Sequence, residues 1–305
     1  MVETEYNITP RIIGIASIYN PSEENIEGLL KCAQSIERLL IVDDSEEPYE
    51  SLLTSCLKRC SNNKIEIKDL IDYSWNCKNL GLATSINRGI KRCINYYSPD
   101  WILLLDQDSQ FGNDLVGSYM TCIKNLKGEE LKTTALIAPL YNYDRHKRIA
   151  RNGNRRVRFS MMSGSLLNVN LLKKIGLYDE RLFIDGMDNE WCLRARRKGY
   201  NIVRCSSALL DHHPSFTKEI RIFGMPLLKF GYDSAERYYY AFRSFMLIHS
   251  LYHDWYNDLW FLYKRLKSLF LFGDFYMYNK AYKDAKSDYN IGFFGKYTDR
   301  PKYHR

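Results

Sequence analysis

Trp101-Ile102-Leu103-Leu104-Leu105-Asp106-Gln107-Asp108-Ser109 is the stretch whose reading decides the fold. Five successive apolar residues leave no polar face, so the run reads as a strand buried on both sides. It stops abruptly at two carboxylates with one residue between them. In open parallel sheets ligands gather at the carboxyl ends of strands, which is where these acids stand. Working outward, Ile12 to Tyr19 reads as a first buried strand, and a helix then runs from Pro21-Ser22-Glu23-Glu24 to about Gln34, with Ser22 as its N-cap. Leu39 to Val42 is the second strand and Asn79 to Ile94 a further helix. Strands alternating with helical segments predict an α/β fold with a mainly parallel central sheet.

Beyond this core, Tyr141 to Arg158 reads as a loop rich in arginine, without regular structure. Met161 to Asn168 reads as a strand, Leu171 to Ile175 as a short helix, and Asp188 to Lys198 as a helix that Gly199 ends. Ile202 to Leu210 is the last strand, leading into Asp211-His212-His213-Pro214. The predicted division is a catalytic domain over 1–213 and a C-terminal helical, aromatic and basic appendage over 214–305. The appendage holds 26 of the 43 aromatic residues, with 15 Lys or Arg against 9 Asp or Glu. Within it Trp255, Leu259, Leu262, Leu266, Leu269 and Phe270 recur at helical spacing, with Lys264, Arg265 and Lys267 off that line.

The chain has 305 residues, 45% apolar and 26% charged, with 17 Gly and 8 Pro, which excludes collagen-like and wholly disordered classes. A net charge of +8 favours anionic partners, be they nucleic acid, phosphorylated small molecules or an anionic membrane surface. The eight cysteines show no C-x-x-C pair, so reduced thiols are expected rather than a zinc site. Met1 to Asn7 lack the basic and apolar regions of a leader, and no apolar run is long enough to span a bilayer. The chain is expected on the cytoplasmic side, as a peripheral protein at the inner face of the membrane if the amphipathic tail binds there.

Several side chains are candidates for chemistry. Asp106 and Asp108 can share a hard divalent cation whose remaining ligands are phosphate oxygens, although an isolated pair of acids can also simply open a turn. In Phe183-Ile184-Asp185-Gly186-Met187-Asp188-Asn189-Glu190-Trp191, a carboxylate at Asp188 can serve as a general base; capping of the helix start is the plainer alternative. His212 could complete a metal site begun by Asp108. Asp43, at the second strand end, could read a base or ribose. Asn79-Leu80-Gly81 and Asn87-Arg88-Gly89 suggest close backbone approach to a ligand. The arginines from Arg145 to Arg158 could hold a diphosphate, or form a solvated surface.

Taken in order, Ile18-Tyr19-Asn20, Val42-Asp43-Asp44-Ser45, Asn79-Leu80-Gly81, Leu105-Asp106-Gln107-Asp108-Ser109, Ser163-Gly164-Ser165, Asp188-Asn189-Glu190-Trp191 and His212 resemble glycosyltransferase family 2, and within it bacterial rhamnosyltransferase-like members. The resemblance spans residues 11 to 213 and extends to Arg237-Tyr238-Tyr239-Tyr240 with Arg243 and to Gly292 with Gly295-Lys296. It implies a GT-A nucleotide-sugar-binding fold and an inverting transferase that uses Mg²⁺ or Mn²⁺. On the matching positions it implies that Tyr19, Asp43, Asn87, Asp106 and Asp108 bind the donor, with Asp106, Asp108 and His212 about the metal. Asp188 would be the base, and Gly164, Glu190 and Trp191 the acceptor side. Met187 departs from the Glu-Asp that many members carry.

The expected donor is dTDP-L-rhamnose, with another UDP-sugar of galactose, galactofuranose or glucose type as the alternative. The expected acceptor is a glycan, lipid-linked, in cell-surface polysaccharide synthesis such as O-antigen. The tail helix is expected either to lie in an anionic headgroup layer or to pack on the main domain or a second subunit. A haloacid dehalogenase-type phosphotransferase also places D-x-D after an apolar strand, but Gln110 stands where that family has Thr or Val. A non-enzymatic nucleic-acid binder would fit the charge, but no binding motif supports it and no nucleic-acid partner is expected; a catalytically silent fold acting as a scaffold is the other non-enzymatic alternative.

Overall fold

The structure is a computed structural model that describes residues 9–60, 67–108, 110–111, 114–142, 148–151, 153–211, 216–222 and 225–301. In chain order the strands are β1 (Ile12–Ile18), β2 (Arg38–Asp43), β3 (Ile71–Trp75), β4 (Trp101–Asp106), β5 (Gln110–Phe111), β6 (Thr134–Asn142), β7 (Asn154–Val157), β8 (Leu166–Asn168), β9 (Asn201–Asp211), β10 (Phe216–Ile222) and β11 (Met225–Tyr232). The helices are α1 (Glu23–Ala33), α2 (Glu50–Cys60), α3 (Leu82–Tyr97), α4 (Leu115–Asn125), α5 (Glu129–Thr133), α6 (Val169–Ile175), α7 (Met187–Arg197), α8 (Ala235–Tyr252), α9 (Trp255–Phe270) and α10 (Phe275–Asn290).

The main sheet runs β3-β2-β1-β4-β8-β6-β9-β5, with β7 also paired to β9. β3, β2, β1 and β4 are mutually parallel, and β6 is parallel to β9; the short β8 is antiparallel to both β4 and β6. The expectation of an α/β fold around a mainly parallel sheet is therefore met. β1 and β4 are buried almost throughout because helices cover both faces. One face packs α1, α2 and α4, the other α3, α6 and α7. At α1 the Ser22 hydroxyl accepts from the Asn25 amide while the Asn25 side chain accepts from the Ser22 amide, a reciprocal capping box.

Three segments differ from the sequence reading. Of the strand expected over Met161 to Asn168 only Leu166–Asn168 is one, because residues 163 and 164 turn. The arginine-rich loop contains β7, paired antiparallel along β9, and the tail begins with the β10-β11 hairpin before any helix. Neither short strand has a periodicity strong enough to stand out from the surrounding charge. The eight cysteines are all free thiols. Among the described residues no helix is long and apolar enough to cross a membrane.

The C-terminal helices pack closely on the sheet layers. Phe183 stacks on Tyr240 at 5.1 Å, Leu247 joins the core under α3 and α7, and the Tyr252 hydroxyl donates to Glu190 of α7. Arg243 in α8 is 1% exposed. It donates to the carbonyls of Phe293, Phe294 and Gly295 and to the Tyr239 hydroxyl, the last at 2.7 Å. A buried cation is tolerable only with such partners. Arg243→Met should cost about 3 kcal/mol in denaturant unfolding, because three carbonyls lose their donor. Amides of residues 292–300 should lose hydrogen-exchange protection first; a cost below about 1 kcal/mol would contradict this clasp.

Candidate functional site

Parallel pairing sets Ile18 beside Asp43 and Ser17 beside Asp106, so β1, β2 and β4 end along one edge. The chain turns sharply after β1, with Asn20 at φ 45°. Gln107 clasps this turn: its carbonyl oxygen accepts from the Tyr19 amide at 2.7 Å and its amide donates to the Tyr19 carbonyl at 3.2 Å. The middle residue of D-x-D thus couples β4 to β1, and the Tyr19 ring is left 41% exposed at the edge.

Asp43 is fully buried and its oxygens serve the loop that follows. They accept from the Ser45 amide (2.9 Å), the Tyr49 amide (2.8 Å) and the Tyr73 hydroxyl (2.6 Å). Asp44 binds the Asn76 amide group and the amides of Leu80 and Gly81, all at 2.9 Å. That explains the Asn79-Leu80-Gly81 string as an anchored turn. Burial raises the Asp44 carboxyl above its ordinary value despite these donors. Trp75, at the end of β3, donates to the Ser45 carbonyl at 2.9 Å and keeps its ring partly exposed, and the Asn20 amide donates to the Ser45 hydroxyl. Tyr19, Trp75 and this loop frame the end of the cleft furthest from β8. Lys296, from the closing Gly295-Lys296 string, pairs there with Glu46 at 2.7 Å.

The acids gather at the other end. Asp106 is pushed up to about 7, first by burial and then by the charges of Asp108 and Asp188, against the Ser163 hydroxyl and Arg237. Asp108 is exposed to solvent. Ser163 is held by the turn Ser163-Gly164-Ser165, which is stitched to β4: the Gly164 amide donates to the Leu104 carbonyl and the Leu104 amide to the Ser165 carbonyl. Gly164 sits at φ +67°, and a Cβ there would come within 2.7 Å of Leu210. It is the glycine this turn requires.

Asp188 lies in the first turn of α7, which opens after Gly186 at φ +86°. A Cβ on Gly186 would meet Ser244 of α8 at 2.9 Å, so close approach of the C-terminal helices also sets where α7 starts. The Asp188 carboxylate accepts from the Asn189 amide at 2.8 Å; burial, followed by Asp185, raises it to about 6. Asp185 pairs with Arg237 of α8 at 3.0 Å. Asp233 is raised to about 6 by burial, against the pull of Arg237. The Arg237 Nε is buried and has no hydrogen-bond partner. Asp106, Asp185 and Asp233 thus share the Arg237 guanidinium, with Lys264 of α9 exerting a weaker pull on Asp188 and Asp233.

Asp106, Asp108 and Asp188 are brought together. Asn87, Glu190 and Trp191, expected to touch ligands, are not at the cleft. Asn87 is buried and pins the segment before α7, donating to the Tyr178 carbonyl (2.9 Å) and accepting from the Tyr178 amide (3.0 Å). Glu190 is buried in an ion pair with Arg194 at 2.8 Å, and the Trp191 indole donates to the Gly176 carbonyl at 2.9 Å. Their polar groups are spent on holding α7. His212 lies outside the described residues. Arg237, Asp185, Asp233, Ser163 and Trp75 were assigned no role from sequence; Arg237, Ser163 and Asp185 carried a signal, through the strings Arg237-Tyr238-Tyr239-Tyr240, Ser163-Gly164-Ser165 and Phe183-Ile184-Asp185.

Among the described residues no group of three metal-ligating side chains is assembled. The available donor set is the Asp106 and Asp108 pair. It fits an oxygen-preferring divalent cation that would take its other ligands from phosphate and water, since a counter-cation offsets the burial and the like charge that together push Asp106 up to about 7.

Comparisons with known proteins bear on the fold and the class. The solved structure of GalNAc-T7 with UDP, GalNAc and Mn²⁺ matches with a TM-score of 0.60 at 13% identity, over 93% of this chain. The present chain spans 56% of the length of that one. No protein-family model matches. The fold is GT-A, and the class is that of the glycosyltransferases. Within the class, the chain is 22% identical over 258 residues to the dTDP-rhamnosyl transferase RfbF of Shigella flexneri, covering 78% of this chain and 79% of that protein. The family-2, rhamnosyltransferase-like resemblance read from the motifs is supported by this similarity.

Proposed function

We propose that the protein is an inverting glycosyltransferase that moves L-rhamnose from dTDP-L-rhamnose to a hydroxyl of a glycan acceptor. The observation that carries this reading is the Asp188 carboxyl, raised to about 6 and facing the Asp106 and Asp108 pair across a cleft at the strand ends. A base of that strength is largely ionised at neutral pH yet still able to take a proton. Asp188 removes the acceptor hydroxyl proton as the oxygen attacks the anomeric carbon. The bond from that carbon to the diphosphate oxygen breaks in the same step, and the nucleoside diphosphate departs with the electron pair. Asp106 and Asp108 would hold a divalent cation, which supplies charge neutralisation to the diphosphate. The unpartnered Nε–H of Arg237 is available to the same oxygens. Tyr19 and Trp75 offer ring faces for the base, and Asp43 acts by shaping the loop between them.

The sign of the pH dependence follows from the raised carboxyl. At limiting substrate, kcat/KM should fall about tenfold per unit below pH 6 and level off above it. Asp188→Asn should lower kcat by about 10²- to 10⁴-fold with little change in donor binding. A variant that turns over as fast as the wild type would overturn the assignment of the base.

The acceptor is proposed to be lipid-linked and met at an anionic membrane surface. The α9 stripe expected from sequence remains uncovered: Trp255, Leu259, Leu262, Leu266 and Phe270 are exposed, Phe270 at 75%. Lys264 and Lys267 flank it. Trp, Tyr, Leu and Lys in this arrangement suit a headgroup layer. Vesicles containing phosphatidylglycerol should float the wild type, and Leu262→Glu with Leu266→Glu should abolish flotation while preserving the melting temperature. Undiminished flotation of the double variant, or no flotation of a wild type that sediments as a dimer, would sink the membrane role.

A further inference from the structure

A second cationic site lies away from the acids. A cavity of about 430 Å³ is lined by Leu140, Arg148, Ile149, Arg151, Arg204 and Ser206. Arg204 projects from β9, and its Nε is buried with no hydrogen-bond partner. Its guanidinium is lowered by burial and by the charges of Arg148 and Arg155, with no acid among the causes. Among the described residues, no ion pair reaches Arg148, Arg151, Arg155 or Arg204.

The strand pairing makes this concentration of charge costlier. β7 lies antiparallel on β9 with Arg155 directly opposite Arg204, and like charges in that position destabilise a sheet. The loop carrying Arg148 and Arg151 is tied down by the Arg148 amide on the Asn142 side chain (3.0 Å) and the Arg151 amide on the Ser206 carbonyl (2.9 Å). Anchored, unneutralised guanidinium groups around a cavity with an orphaned buried N–H make a site short of an anion.

Along the sheet, β9 is three strands from β4, about 14 Å at the usual spacing, so this cavity is not the place of the donor diphosphate. At the far end of β7, Arg158 lies over the Tyr256 ring at 5.0 Å and 3.8 Å from Asp254, at the start of the α9 stripe. The arginine strand therefore joins the cavity to the uncovered aromatic face.

We propose that the cavity bounded by Arg148, Arg151 and Arg204 binds a phosphate or diphosphate ester, separately from the nucleotide site. Three guanidinium groups call for a ligand of two or more negative charges, which a diphosphate supplies and a single carboxylate does not. The ester can come from the diphosphate of a lipid-linked acceptor or from a phospholipid headgroup that carries a phosphomonoester. The site stands whether or not the transfer reading does.

The test is titration calorimetry of the full chain with inorganic pyrophosphate in EDTA. Binding should be seen in the wild type and in Asp108→Ala. It should weaken about tenfold or more in Arg148→Ala with Arg151→Ala, two exposed positions at which the melting temperature should hold. Absence of binding without divalent cation, or equal affinity in the double variant, would overturn the proposal. Phosphatidylcholine vesicles doped with farnesyl diphosphate or with phosphatidic acid separate the sources. The dopant whose retention of the protein drops in the double variant is the source, and a drop with neither contradicts the site.

Discussion

The crowding of carboxylates at one strand end is the constraint that organises the site. Asp106, Asp108, Asp185, Asp188 and Asp233 lie where β4 ends and α7 begins, and Arg237 is a half-exposed cation beside Asp106, Asp185 and Asp233. Burial and like charge hold Asp106 near 7 and Asp188 near 6, each well above an ordinary aspartate. A fold selected for stability alone would not keep such a cluster. On the proposed function it is a cleft short of positive charge, suited to a ligand that arrives with its own counter-cation, and in which one carboxylate keeps the basicity to accept a proton.

Holding that cluster requires both layers of the molecule. The β4 strand and the Ser163-Gly164-Ser165 turn fix Asp106 from the sheet side. α8 fixes the other side, through Arg237 on Asp185, Tyr240 stacked on Phe183, Ser244 against Gly186 and Tyr252 bound to Glu190. Arg243, one turn and a half further along α8, gathers the carbonyls of 293–295 and so brings Lys296 to the opposite end of the cleft. The aromatic tail is thereby a wall of the site as well as the bearer of the uncovered α9 stripe.

The sheet and the acidic edge were legible in the sequence because local patterns define them. Continuous apolar runs marked β1 and β4, Ser22 marked the start of α1, and the D-x-D pair stood at a strand end. What local pattern cannot supply is the far partner. Asn87, Glu190 and Trp191 are polar or aromatic residues on helices beside the cleft, and spacing alone does not say that Tyr178, Arg194 and Gly176 have already claimed them. Arg237 lies 131 residues after Asp106 in a segment of different composition, so only packing could bring it to the acids. The stripe on α9 was correctly patterned, yet periodicity could not say whether the main domain covers it; its exposure does. β7 was lost in the charge of its own arginines.

If the acid cluster is a cation-assisted nucleotide-sugar site, titration calorimetry of dTDP against the full chain should show binding in Mn²⁺ or Mg²⁺ that weakens about tenfold or more when the cation is chelated and equally when Asp108 is replaced by alanine. Affinity for dTDP that is unchanged by chelation and by Asp108→Ala would contradict it.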